Sequence, residues 1–197
     1  MVFTKEVRDI SKRAWADLRR LLRNGRYEWS DDGVLLVGTA GFKNRCLHRV
    51  DGGPWIADTN LATIQGKNHF FDVVMHGTSA IGTWYVAPFS GNVTVLDTWT
   101  AANFTSNATE ITAYSESTRV AYVEAAASSG GTTNAASPAE FTASSAPLTI
   151  WGAGLLSVST KSSTSGVLLF ASKFAEAESL NNVGSKSQIS WVLDLNK

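Results

Sequence analysis

The single cysteine and the three histidines, Cys46, His48, His69 and His76, are the first candidates for nucleophilic or metal chemistry. Cys46 and His48 stand two apart, so on a strand they share a face, as any such pair does. A thiol beside an imidazole is the start of a nucleophile–base pair, yet the residues around it match no recognised thiol catalyst. His69-x-x-Asp72-x-x-x-His76 comes closest to a ligand set. On a helix, Asp72 and His76 stand at i and i+4 with His69 one turn before Asp72, an arrangement that could hold a cation. The competing reading is a helix whose polar groups cap the backbone or bond to an adjoining β layer. The chain has no Gly-x-Ser-x-Gly elbow, no recognisable carboxylate pair, no Gly-rich phosphate loop and no zinc signature. The expectation is therefore no catalytic residue, no metal ligand, no cofactor and no enzymatic activity.

The seven tryptophans are the other residues with binding potential. Trp84, Trp151 and Trp191 lie inside apolar strand-like runs and read as core or subunit-interface residues. Trp29, Trp55 and Trp99 adjoin turn residues, and are the candidates for pinning loops or contacting a partner. Aromatics on a β-rich surface can also stack on sugars, so a carbohydrate-binding module is a rival reading.

The elements that must position these residues fall into three segments, 1–26, 27–59 and 60–197. Residues 4–24 read as an amphipathic helix with Thr4 at the N-cap and Asn24-Gly25 as the stop. Val7, Ile10, Ala14, Leu18 and Leu21 fall within about 80° of arc, and Arg8, Lys12, Arg19 and Arg23 lie on the far side with Lys5. The first 26 residues hold 8 Lys/Arg against 3 Asp/Glu. Residues 1–50 hold 11 against 6 and residues 51–197 hold 6 against 11, so the formal net charge of zero is split into a basic start and an acidic remainder. This segment is expected to be a basic arm that docks its apolar stripe on protein, with nucleic acid an unlikely partner because no broad basic surface follows it.

Residues 27–59 read as a turn-rich connection with short strands at Val34–Val37 and Gly41–Val50. From Asn60 to His76 the apolar spacing is helical, and Gly77 ends it. Strand-like runs follow at Thr83–Phe89, Ile111–Tyr114, Arg119–Val123, Ala139–Ser144, Leu148–Ser159, Val167–Phe174 and Gln188–Leu195. Residues 128–134 read as the most flexible connection. The fold class expected is mainly β: an antiparallel β-sandwich, jelly-roll-like or immunoglobulin-like, with an N-terminal amphipathic helix and one short internal helix. With 44% apolar residues the chain can fill one core, and its single cysteine allows no internal disulfide. No N-terminal stretch reads as a signal peptide and no run is long enough to span a membrane, so a soluble protein made in a cytoplasm is expected.

Several phrases carry a resemblance. Among them are Asp72-Val73-Val74-Met75-His76-Gly77, Thr83-Trp84-Tyr85-Val86, Phe89-Ser90-Gly91-Asn92-Val93-Thr94 and Thr98-Trp99-Thr100-Ala101-Ala102. Glu116-Ser117-Thr118-Arg119, Asn134-Ala135-Ala136-Ser137-Pro138-Ala139-Glu140-Phe141, Ile150-Trp151-Gly152-Ala153-Gly154-Leu155-Leu156-Ser157 and Gly166-Val167-Leu168-Leu169 complete the set. In these phrases the chain resembles a group of tailed-bacteriophage virion proteins over roughly residues 60–195. Val183-Gly184-Ser185 departs from the Val-Gly-Asp-like turn of that group. The resemblance implies a structural role in the virion. It points to a capsid decoration or cement protein, a dimer or trimer that clamps the major capsid protein or other virion proteins. A neck or tail component is the alternative within the same class.

Overall fold

The structure, a computed structural model, describes the backbone of residues 27–30, 33–36 and 41–196 and the side chains of 44–194. The helix expected over 4–24, with its apolar and basic faces, lies outside the described residues. The chain divides into two compact units, Met1–Gly41 with Leu195–Lys197, and Phe42–Asp194. In the smaller unit β1 (Tyr27–Ser30) and β2 (Gly33–Leu36) pair antiparallel, Tyr27 opposite Leu36 and Trp29 opposite Val34.

The larger unit is mainly β, with two antiparallel sheets and, among the described residues, two helices. One sheet runs β5 (Leu61–Ala62), β11 (Leu168–Leu180), β10 (Leu148–Leu156), β6 (Trp84–Phe89) and β7 (Val120–Tyr122). The other runs β4 (Ile56–Thr59), β3 (Gly41–Val50), β12 (Lys186–Asn196) and β8 (Gly131–Thr133), with β9 (Ala139–Thr142) also on β12. The β3–β4 hairpin, grouped by sequence with the connecting segment, is thus part of this second sheet.

Strand alternation builds two cores on opposite faces of the first sheet. Val86, Leu155 and Phe170 face Cys46, Phe141, Ile189 and Trp191 of the second sheet in one cluster. Their neighbours Ala87, Leu156 and Ala171 face the other way, with Phe89, Trp99 and the helix α2 (Ala101–Ala108), which buries Ala101, Phe104 and Ala108. Gly154 makes room for Phe104 of that helix, and Gly152 for Phe89 beside it. A Cβ at Gly152 would lie 2.3 Å from Phe89 Cζ, and one at Gly154 would lie 2.6 Å from Phe104 Cε2. No residue but glycine leaves room for both rings.

α2 answers to no helix read from the sequence, because Asn, Thr and Ser are weak helix formers. It holds through its buried face and its first turn, where Asn103 Oδ1 accepts from the Thr100 backbone N–H at 2.9 Å. The internal helix α1 runs Ile64–Met75 rather than from Asn60. Thr63 caps it by accepting from Gly66 N–H at 2.9 Å, while Leu61 and Ala62 pair with Ala171 and Phe170 as β5. The strand expected at Ile111–Tyr114 is instead a connection that buries Ile111 and Tyr114, held by single bridges, Glu110 to Phe89 and Tyr114 to Ala143.

Residues 128–134, read as the loosest connection, contain β8, paired with Val192–Asp194 of β12. Between β8 and β9 the fully buried Asn134 stands in for a strand partner. Its Oδ1 accepts from Trp191 N–H at 2.7 Å and its Nδ2 donates to Ile189 O at 3.4 Å. A buried backbone group needs such a partner, and an amide side chain offers a donor and an acceptor side by side.

Candidate functional site

The imidazole of His48 is the best-placed group for chemistry by type, and the fold seals it. It is fully buried on β3 and stacks on Phe174 of β11. Cross-strand pairing of Cys46 with Asp58 and of His48 with Ile56 sets Asp58 diagonally beside the ring. Nε2 donates to Asp58 Oδ2 at 2.9 Å and Nδ1 donates to Glu178 Oε1 at 2.8 Å. Glu178 also accepts from Ser187 Oγ at 2.6 Å, and Asp58 from the Ala175 backbone N–H at 3.1 Å.

With a carboxylate within hydrogen-bond distance of each nitrogen, the geometry favours the doubly protonated ring, which alone can donate to both. Burial alone would push its pKa down. The bonds to Glu178 and Asp58, and their charges, outweigh burial and hold it above the ordinary histidine value. No ring nitrogen is left for a substrate or a metal. Cys46 is equally closed. Burial pushes its thiol pKa well up, the nearby Asp58 and Glu178 carboxylates push it the same way, and a bond with Ser172 opposes them only in part. The Cys46–His48 spacing thus marks the inner face of a strand, with no contact to solvent.

A second ionic cluster is also internal. Arg119 Nε and Nη2 donate to the two oxygens of Glu110 at 2.8 and 2.7 Å, and both side chains are fully buried. Nη1 donates to Val158 O at 2.9 Å and Nη2 to Ser163 O at 3.1 Å, so one guanidinium ties the end of α2 to the 157–166 connection. Such a fork satisfies all the polar atoms it buries.

His69, Asp72 and His76 do not converge. His69 meets the edge of Trp84 at 5.8 Å, and His76 leaves the helix as its C-cap. Among the described residues no group of three or more His, Cys, Asp or Glu side chains could hold a metal ion. Of the three candidate interface aromatics, Trp99 is a core residue, 4% exposed, edge-on to Phe89 and Phe104. Its neighbouring turn residues gave it the look of a loop pin; the helix that follows instead closes over it. Trp55 is exposed, with the Arg49 guanidinium 4.3 Å from its ring centre. Trp29 lies on β1, and its side chain is outside the described residues. Trp191 is fully buried, and Trp84 and Trp151 are half-buried against the cores.

What the sequence reading missed is the outer face of α1. The helix lies against β11 through Gly66, where a Cβ would meet Leu169 O at 2.4 Å. Gly66 is its one buried residue. On the opposite side Ile64, Phe71 and Met75 are 45%, 60% and 78% exposed, and Val74 on the flank is 59% exposed. The helical spacing was legible, but which side faced the protein was not. The signal was Gly66, the residue that permits closest approach.

Compared with known families and curated proteins, the chain matches no family model and no curated sequence.

Proposed function

We propose that this chain is a structural protein of a tailed-bacteriophage virion, most specifically a decoration or cement protein of the head. In this reading the two sheets form a jelly-roll-like sandwich. The observation that carries it is the bare apolar face of α1 on a body whose reactive groups are turned inward. Apolar side chains in a contiguous exposed stripe mark an association surface, and a rigid body with sealed polar clusters suits a building block. The charge split between residues 1–50 and 51–197 and the phrases that resemble virion proteins point the same way.

The test is the number of copies in purified particles, counted by quantitative mass spectrometry. Hundreds of copies support the shell position and a dozen or so place the chain at the neck. Absence from particles overturns the reading. A glycan-binding reading has one observation behind it, the exposed Trp55 beside Arg49. A saturable change in tryptophan fluorescence with a polysaccharide, lost on Trp55→Ala, would favour that reading instead.

A further inference from the structure

We propose that the exposed stripe of α1 is covered by α1 of a second copy of this chain, the two helices running parallel and in register about a two-fold axis. The inference rests on the reading of that stripe as an association surface, and adds what occupies it.

Spacing along the stripe comes first. Ile64, Asn68, Phe71 and Met75 follow one another at intervals of four, three and four residues. That alternation is the seam of a two-stranded coiled coil, with Ile64 and Phe71 at d positions and Asn68 and Met75 at a positions. On the same wheel Gly66 and Val73 take the f position, the side turned away from a partner. Gly66 is the residue pressed onto β11, and Val73 is half-buried. The side of the helix that the body leaves free is therefore the seam side.

Polar residues around the seam then choose the partner and its direction. Asn68 is exposed at an a position. In a parallel pair two such asparagines meet across the axis and can exchange amide hydrogen bonds, a device that selects two strands and one register. Lys67 takes the g position and Asp72 the e position, five residues on. In a parallel pair each Lys67 then faces Asp72 of the other copy on both flanks. An antiparallel pair would set Lys67 against Lys67 and Asp72 against Asp72. Among the described residues neither Lys67 nor Asp72 has an ion-pair partner within the chain. A self-complementary patch of this kind closes a dimer and leaves nothing over for a filament.

The experiment uses the full chain, with cysteines introduced singly at the seam. Native Cys46 is fully buried and stays out of the reaction. Parallel, in-register pairing sets each seam residue beside its own copy, within disulfide reach. Ile64→Cys and Met75→Cys should therefore each give a covalent dimer under mild oxidation. Antiparallel pairing would set Ile64 against Met75 of the other copy, roughly 16 Å along the axis from its own counterpart; a link that forms only when the Ile64→Cys and Met75→Cys chains are mixed, and from neither alone, overturns the parallel arrangement. Light scattering should give twice the 21.1 kDa chain mass, and Phe71→Glu should return it to the monomer with an unchanged circular dichroism spectrum. Lys67→Asp should weaken the dimer roughly tenfold through its two flanks, and adding Asp72→Lys should restore it.

A monomer at all concentrations, with no link from any seam cysteine, overturns the pairing. If such a chain is nevertheless present in particles at high copy number, the virion role stands and the pairing alone is lost. If the chain links through Ile64→Cys and Met75→Cys but is absent from particles, the pairing stands and the virion role falls.

Discussion

His48 lies flat on Phe174, with ring centres 3.7 Å apart and planes 5° from parallel. The stacking fixes the plane of the imidazole, so its two nitrogens can only point edge-on at Asp58 of β4 and Glu178 of β11. Three strands from two sheets are thereby joined through one ring. The cluster carries two carboxylates for one cation, with Ser187 and the Ala175 backbone N–H supplying the remaining bonds.

Removing the cation should therefore cost more than removing its packing. His48→Leu keeps much of the volume over Phe174 but leaves the buried Glu178 and half-buried Asp58 carboxylates without their cation. A loss of about 3–5 kcal/mol is expected in denaturant unfolding. Adding Glu178→Gln and Asp58→Asn to His48→Leu should recover part of that loss. A triple variant no more stable than the single one would show that the cost lies in packing.

The same ring sets a pH dependence. Its folded pKa is above the unfolded value of about 6.5. The contribution of the cluster is thus fully present below that unfolded value and fades as pH rises through the higher folded one. Thermal unfolding at a series of pH values should show a fall in Tm that sets in as pH rises above about 6.5. In a variant lacking His48 that part of the slope should vanish.

Arg119 and Glu110 make a second test of buried charge. Arg119→Met would strand a fully buried carboxylate and free the carbonyls of Val158 and Ser163, at a cost of about 3–5 kcal/mol. Hydrogen exchange should rise first in the 157–166 connection and at the end of α2, the two segments the guanidinium joins. Protection unchanged there would mean that the connection is held by other contacts.

Asn134 is predicted to be worth more than its size suggests. Asn134→Ala leaves the Trp191 N–H and the Ile189 carbonyl buried without partners, costing about 1–3 kcal/mol. Asn134→Asp keeps an acceptor for Trp191 and loses the donor to Ile189. Amide exchange at Trp191 should therefore rise more in the alanine variant than in the aspartate one.

Gly154→Ala places a methyl where the Phe104 ring stands, and about 1–3 kcal/mol of overpacking is expected. Near-ultraviolet circular dichroism should report it, since Trp99, Phe89 and Phe104 form one edge-to-face group. Phe104→Leu in the same chain should relieve part of the cost. If Gly154→Ala is neutral by itself, the ring has room that the structure does not give it.

Local pattern was enough to read the mainly β class, most of the long strands and the existence of α1. Val86, Leu155 and Phe170 against Ala87, Leu156 and Ala171 is alternation that a sequence displays directly, and helical spacing over Ile64–Met75 is equally local. Element partners are a different matter. α2 has weak local propensity and exists because Phe104 finds room over Gly154, fifty residues further on, while Ala108 packs beside Gly91. β8 is a strand because β12 lies beside it, and a run of Ser, Gly and Thr carries no sign of that. Trp99 beside turn residues and Trp191 inside a strand both end in the core, because burial is set by what closes over a residue. The His48 cluster unites positions 48, 58, 178 and 187, and nothing in any one of those stretches announces the others. The outward face of α1 was likewise decided in three dimensions. Periodicity shows that a stripe exists, but only the contact of Gly66 with Leu169 determines that Ile64, Phe71 and Met75 face away from the body.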